Sequence, residues 1–351
     1  MGELERIAEK LKNSGSKHAL NASERNSRGA ASPSHNQNYA IADKLKASLL
    51  KEYREKDLLE ETNFEVIDNS YGETLHLKEF TEKTFQTPDT AIRCILSDLK
   101  LVYGIGEVRE EELKNDGYET VPDLVDHQKW GEAALEVNEA FRGDSPAKGY
   151  NLLRRWKALS HPSFIRFSGL YDRKDFAIVD IETLGLSNQP IFLLGLAQPT
   201  DSGMEVHQFL ASNPGREMAT IVQFAKKLEN LEVILTYNGK NFDLPYIERR
   251  LAYYGQRKKF SHPHLDLYHF TRKFFSDRLR NCQLGTIENS ILGIERKVDI
   301  PSALVPEFYN SFRKNGNPGP LIPILAHNRQ DLLSLADLYR VITEEALNGN
   351  S

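Results

Sequence analysis

The sequence predicts an α/β fold, a sheet with helices on its faces, in the C-terminal half, behind a mainly helical region. Three observations carry this reading. Apolar runs of strand length recur at residues 176–179, 191–197, 206–210 and 233–236. Between them Met218, Ile221, Val222, Ala225 and Leu228 fall on one face at helical spacing. Ahead of them, residues 90–156 keep a helical pattern. Strands alternating with amphipathic helices bury both faces of a sheet, which is the α/β arrangement.

In chain order, residues 1–40 come first. Leu4, Ile7, Ala8 and Leu11 predict a short amphipathic helix over residues 3–12. Residues 13–38 are dominated by Ser, Asn, Gly and Ala, bury too little to offset ordering entropy, and are expected to be a disordered linker. The small helix either docks a partner or has no specific role. Residues 41–89 hold a helix at 41–53 and two strands, 64–67 and 75–77, around the turn Asn69-Ser-Tyr-Gly72. Residues 90–160 form the helical region, and residues 170–346 the α/β domain.

Composition narrows the function. Forty-five Lys and Arg against 50 Asp and Glu give a net charge of −5, so any nucleic-acid surface must be local. Two cysteines, Cys94 and Cys282, cannot build a disulfide framework or a cysteine-rich zinc site. They fit a reducing compartment, no apolar run reaches membrane-span length, and no signal-peptide pattern opens the chain. A cytoplasmic protein with no membrane partner is expected.

The chemistry lies in the acids. Asp180-Ile-Glu182 follows an apolar strand, and residues two apart on a strand project to one face. Asp243 opens a helix after another strand, and His327 and Asp331 are spaced to share a helix face. Two carboxylates about 4 Å apart repel by roughly 4 kcal/mol at an effective dielectric of 20, so such a cage is tolerable mainly around cations. All-oxygen ligands select Mg²⁺ or Mn²⁺, and two such ions would activate water and stabilise a leaving oxygen in phosphodiester cleavage. His327 would take the proton from that water.

These segments resemble the three exonuclease motifs of the DEDD superfamily, in its histidine branch. Over residues 160–345 the likeness is greatest to the bacterial YprB-like exonucleases. It includes Asp180-Ile-Glu-Thr-Leu-Gly-Leu, His207-Gln-Phe, Thr236-Tyr-Asn-Gly-Lys-Asn-Phe-Asp-Leu-Pro245, Leu265-Asp-Leu267 and His327-Asn-Arg-Gln-Asp331. The resemblance implies an RNase H-like mixed β-sheet flanked by helices. It implies that Asp180, Glu182, Asp243 and Asp331 hold two divalent cations, Mg²⁺ or Mn²⁺, with His327 as general base. It further implies 3′→5′ hydrolysis of DNA in repair or end processing. Asp266 lies where such exonucleases often carry an additional acid, and is expected behind the ligands rather than among them.

Around the acids, Asn238 and Lys240 could meet phosphate or sugar, with a loop hydrogen bond as the alternative for Asn238. Arg249, Arg250, Arg257, Lys258, Lys259, Arg272, Lys273, Arg278 and Arg280 crowd a stretch opposed only by Asp266 and Asp277, the expected phosphate-tracking surface. Upstream, Leu101-Val-Tyr-Gly104-Ile-Gly106 followed by residues 107–113 and 117–124 resembles a helix-hairpin-helix motif. Gly104 and Gly106 would there present backbone N–H groups to a phosphate. Glu107, Glu110, Glu111 and Glu112 oppose that contact, and a packing or partner-binding module is the alternative.

The expected substrate is DNA, single-stranded or at 3′ ends, with an RNA exonuclease as the second reading. A non-catalytic adaptor on a nuclease fold is the third. No small-molecule cofactor is indicated. No P-loop is present, so any unwinding must come from another protein, with a helicase as the natural class.

Overall fold

The computed structural model describes residues 33–90, 92–142, 147–296 and 300–348. The helix expected over residues 3–12 and the linker up to residue 32 lie outside them. Helix α1 (Pro33–Glu52) starts well before the expected Ile41. It buries Ala42 and Leu49, two turns apart on one face. Strands β1 (Glu65–Asn69) and β2 (Gly72–Thr81) follow as a hairpin. Asn69 pairs with Gly72 across the turn, and Gly72 has φ +116°, which favours glycine.

The helical region comprises α2 (Ile92–Leu96), α3 (Glu107–Asn115), α4 (Gly131–Arg142), α5 (Ala147–Trp156) and α6 (Pro162–Ser168). The α/β half contains β3 (Phe176–Thr183), β4 (Ile191–Pro199), β5 (Met204–Leu210), α7 (Glu217–Leu228), β6 (Val233–Thr236), α8 (Asp243–Tyr253), β7 (His264–Asp266) and α9 (Leu267–Phe275). It ends with α10 (Leu284–Ile287), α11 (Val305–Asn315) and α12 (Leu321–Asn348).

All seven strands form one sheet in the order β1-β2-β5-β4-β3-β6-β7. The first five strands in that order pair antiparallel, whereas β6 and β7 continue parallel to β3. The upstream hairpin therefore extends the α/β sheet through β2 and β5. Alternation along β3 divides the core. Ala177, Val179 and Ile181 pack with α7 and α8, while Phe176 and Ile178 pack with α12 and the helical region. Leu153, Phe164 and Phe167 share that second cluster with Phe270 and Tyr339, so the helical region and the sheet have a common core. Burying each such side chain contributes about 1.5–3 kcal/mol. The result is a stiff central strand that fixes the position of Asp180 and Glu182.

Candidate active site

Strand period two turns Ile181 into the core and leaves Asp180 and Glu182 together on the opposite face. The β3–β4 register shifts between Glu182 and Thr183, ending regular pairing beside these acids. Asp243 is the first residue of α8, and its Oδ1 accepts the Ile181 backbone N–H at 3.2 Å. That bond ties the helix start to β3. On α12, His327 Nε2 lies 3.7 Å from Asp331 Oδ2 and 4.0 Å from Glu182 Oε1. The fold thus brings all five sequence-selected residues to one place.

The electrostatics are unfavourable for four ionised acids. Burial first, then the charges of Asp331, Glu182 and Asp243, hold Asp180 well above the usual carboxylate range. Burial pushes Glu182 up to about 7, with Asp331 and Asp243 adding to it and His327 and Arg296 opposing. Asp243 is also pushed up to about 7, chiefly by burial, despite its bond from Ile181. Burial raises Asp331 too, against His327 and Arg296.

Two features of this site were not foreseen from the sequence. Asn328 is fully buried and donates from Nδ2 to Asp180 Oδ2 at 2.8 Å. Its Oδ1 accepts from Gln208 Nε2 at 2.9 Å, and Gln208 also donates to the Leu325 carbonyl. Gly195 makes room for this chain, since a Cβ there would lie 2.3 Å from Asn328 Oδ1. Asn328 and Gln208 sit inside two quoted motif segments, so a signal existed. The second feature, Arg296, had none. It donates to Glu288 through Nε at 2.6 Å and Nη2 at 2.7 Å, and also to Asp331. Its Nη1 lies 2.9 Å from His327 Nδ1. A guanidinium only donates, so Nδ1 accepts and a neutral His327 carries its proton on Nε2.

The donor set suits a hard divalent cation: four carboxylates on three converging elements, mutually repelling and short of positive charge. Among the described residues, no three such groups already stand at metal-ligand spacing. Arg296 is the cation that Asp331 holds, and closing the carboxylates around a metal requires it to give way.

The surrounding candidates fare unequally. Asp266 is buried and accepts from the backbone N–H groups of Asn238 at 2.7 Å, Lys240 at 3.1 Å and Tyr268 at 3.1 Å. It fastens the loop leading to Asp243 and caps α9. Asn238, at φ +60°, is exposed and its Oδ1 accepts from Asn241 Nδ2 at 3.3 Å. Lys240 Nζ is buried without a hydrogen-bond partner.

The basic stretch needs correction at Arg250. Arg250 is buried against Glu217 on α7, with Nη2 to Oε2 at 2.5 Å and Nε to Oε1 at 2.7 Å, so it holds two helices together and faces no solvent. Lys258 pairs with Glu229, Lys259 with Glu248 at 3.5 Å, and Arg278 with Glu345 at 3.7 Å. Arg249, Arg272 and Lys273 lie over the rings of Tyr246, Tyr268 and Phe274.

In the hairpin-like segment Gly104 has φ +86° under the Trp130 ring, and Gly106 precedes α3. Glu110 turns inward, accepting from the Leu99 backbone N–H at 3.0 Å and pairing with Lys100 and Lys114. It therefore does not confront a ligand at the turn. Among the described residues, no helix is long and apolar enough to cross a membrane.

Residues 177–343 match the model of the RNase_H superfamily. Over 183 residues the chain is 34% identical to the uncharacterized protein YprB of Bacillus subtilis (strain 168), a match spanning 51% of this chain and 44% of that protein. Among solved structures, the family B DNA polymerase of Pyrobaculum calidifontis is similar at 19% identity and a TM-score of 0.36, over 49% of this chain and 26% of that one. The C-terminal half of the chain is an RNase H-like domain, a mixed sheet flanked by helices that carries the acid cluster at its centre.

Proposed function

We propose that this chain is a metal-dependent nuclease, specifically a 3′→5′ exonuclease acting on DNA in repair or end processing. The observation that carries the proposal is the convergence of Asp180, Glu182, Asp243, Asp331 and His327 on an RNase H-like sheet. Polarity and preference for DNA rest on the resemblance of the three motifs to the DEDD exonucleases.

Asp180, Glu182, Asp243 and Asp331 would hold two Mg²⁺ or Mn²⁺ ions, which when bound supply charge to the attacked phosphate and its leaving oxygen. Asn328, anchored by Gln208, orients Asp180 so that one carboxylate oxygen is fixed. His327 accepts the proton of the attacking water. Nε2 faces Glu182 and Asp331, so this role requires the tautomer with its proton on Nδ1, which the donor Arg296 must first vacate. The water oxygen bonds to phosphorus, the P–O3′ bond breaks, and a nucleoside 5′-monophosphate departs from a strand that keeps its 3′-hydroxyl.

Digestion of 5′-labelled single-stranded DNA, duplex DNA and RNA in Mg²⁺ or Mn²⁺ tests this. A ladder shortening from the 3′ end, strongest on DNA, is expected. Cleavage favouring RNA would establish the second reading. No cleavage of any polymer, by folded protein with metal bound, would leave a non-catalytic adaptor. An associated helicase would co-purify with the chain.

A further inference from the structure

We propose that the exposed cations and rings at the end of α5 and at the Tyr103 turn form a path that binds single-stranded nucleic acid. The inference rests on the exonuclease reading for what happens at the end of this path, whereas the binding itself is separable from catalysis.

At the outer end, Tyr103 is 70% exposed and Trp156 is 36% exposed. Their ring centroids lie 5.6 Å apart at an interplanar angle of 38°. The Arg155 guanidinium sits 5.0 Å from the Trp156 ring. Two large rings side by side at the surface, with a cation on one, leave π faces and charge for a ligand that has both stacking planes and anions. Unstacked bases on a phosphate backbone meet that description, and duplex bases do not offer their faces.

The path continues along α5. Arg154 and Arg155 are both exposed, and neither makes an ion pair among the described residues. In the 249–280 stretch Arg250, Lys258, Lys259 and Arg278 are matched by carboxylates, whereas Arg249, Arg257, Arg272, Lys273 and Arg280 are exposed as Arg154 and Arg155 are. Arg154 stands near enough to Lys240 to depress its ammonium, which burial itself lowers most, to about 8. Asp266 opposes that effect, but its oxygens already serve three backbone N–H groups. Among the described residues Lys240 Nζ has no hydrogen-bond acceptor, but it is buried and so is not itself presented to a ligand. Lys240 lies three positions before Asp243 in the same loop and helix start. The end of α5 is assigned as a phosphate-tracking surface, outside residues 177–343.

The test is fluorescence anisotropy of a labelled oligothymidylate with the full chain in EDTA, where no cleavage can confuse binding. Tyr103→Ala and Trp156→Ala should each weaken binding about 5- to 150-fold, the fold-change for losing one stacked base. Trp156→Phe should restore most of it. Joint Arg154→Ala and Arg155→Ala should lower the slope of log affinity against log salt by about 1.4, at about 0.7 per single-strand phosphate contact. Thermal melts establish that each variant is folded. Unchanged affinity and slope in folded variants would overturn the inference, as would a duplex bound as tightly as the single strand. Weakened binding by these variants supports it even if the wild type cleaves nothing, an outcome that would instead remove the exonuclease reading.

Discussion

Replacing Arg296 with methionine should destabilise the protein in EDTA and at the same time tighten its hold on a divalent cation. Arg296 supplies two hydrogen bonds to Glu288, which is 1% exposed and, among the described residues, keeps Ser334 Oγ, at 2.5 Å, as its only further side-chain donor. Breaking one partner from a buried pair costs about 3–5 kcal/mol, because the remaining charge stays uncompensated. At Asp331 the effect has the opposite sign, since the guanidinium there competes with any metal for the same carboxylate. Two unit charges about 4 Å apart interact by roughly 4 kcal/mol at an effective dielectric of 20, and recovering even ~1.4 kcal/mol of this raises affinity about tenfold. Denaturant unfolding in EDTA measures the first effect, and isothermal titration with Mn²⁺ the second. Adding Glu288→Gln should relieve most of the stability loss while keeping the affinity gain. A single variant within about 1 kcal/mol of wild type, with Mn²⁺ affinity unchanged or weaker, would refute the role given to Arg296.

Three further outcomes follow from the same geometry. Glu182 and Asp243, each raised to about 7, keep protons in the folded state that the unfolded chain releases near the usual carboxylate range. Stability in EDTA should therefore fall as pH rises from about 4 to about 7, by up to ~1.4 kcal/mol per pH unit per proton, and saturating Mn²⁺ should abolish or reverse the slope. Unfolding curves across that range with and without metal check this. Gly195→Ala drives a Cβ into buried Asn328 and should cost about 1–3 kcal/mol while reducing cleavage, because Asp180 loses its oriented donor. Melting and initial rates measured together would show both losses. Glu217→Ala strands Arg250 in the α7–α8 contact and should cost about 3–5 kcal/mol, whereas Glu217→Leu with Arg250→Met should recover stability and leave oligonucleotide affinity unchanged. Weaker binding by that double variant would return Arg250 to the nucleic-acid surface.

Much of the fold could be read because its signals are local. The apolar runs at 176–179, 191–197 and 233–236 are strands covered on both faces, which need no partner sequence to be recognised. The acids were legible for the same reason: Asp180 and Glu182 follow an apolar run within one strand, Asp243 opens a helix, and His327 and Asp331 are spaced to share a helix face. What escaped is long-range. Arg296 meets Glu288 and Asp331 only after α10 and α12 pack, and neither spacing nor residue type marks it. The basic stretch looked unopposed because charge was compared along the chain, whereas Glu217, Glu229 and Glu345 reach it from other elements. The hairpin at 65–81 looked like a separate segment, since nothing local says that β2 will pair with β5.

The most direct single measurement is the metal-dependent cleavage rate of single-stranded DNA by the wild type and by Asp180→Asn, both checked by thermal melting. The expected result is cleavage in Mg²⁺ or Mn²⁺ that EDTA stops and that Asp180→Asn lowers by orders of magnitude in a protein that remains folded. Cleavage persisting in the folded variant, or none in the metal-bound wild type, would contradict the assignment of this acid cluster as a phosphodiester-hydrolysing site.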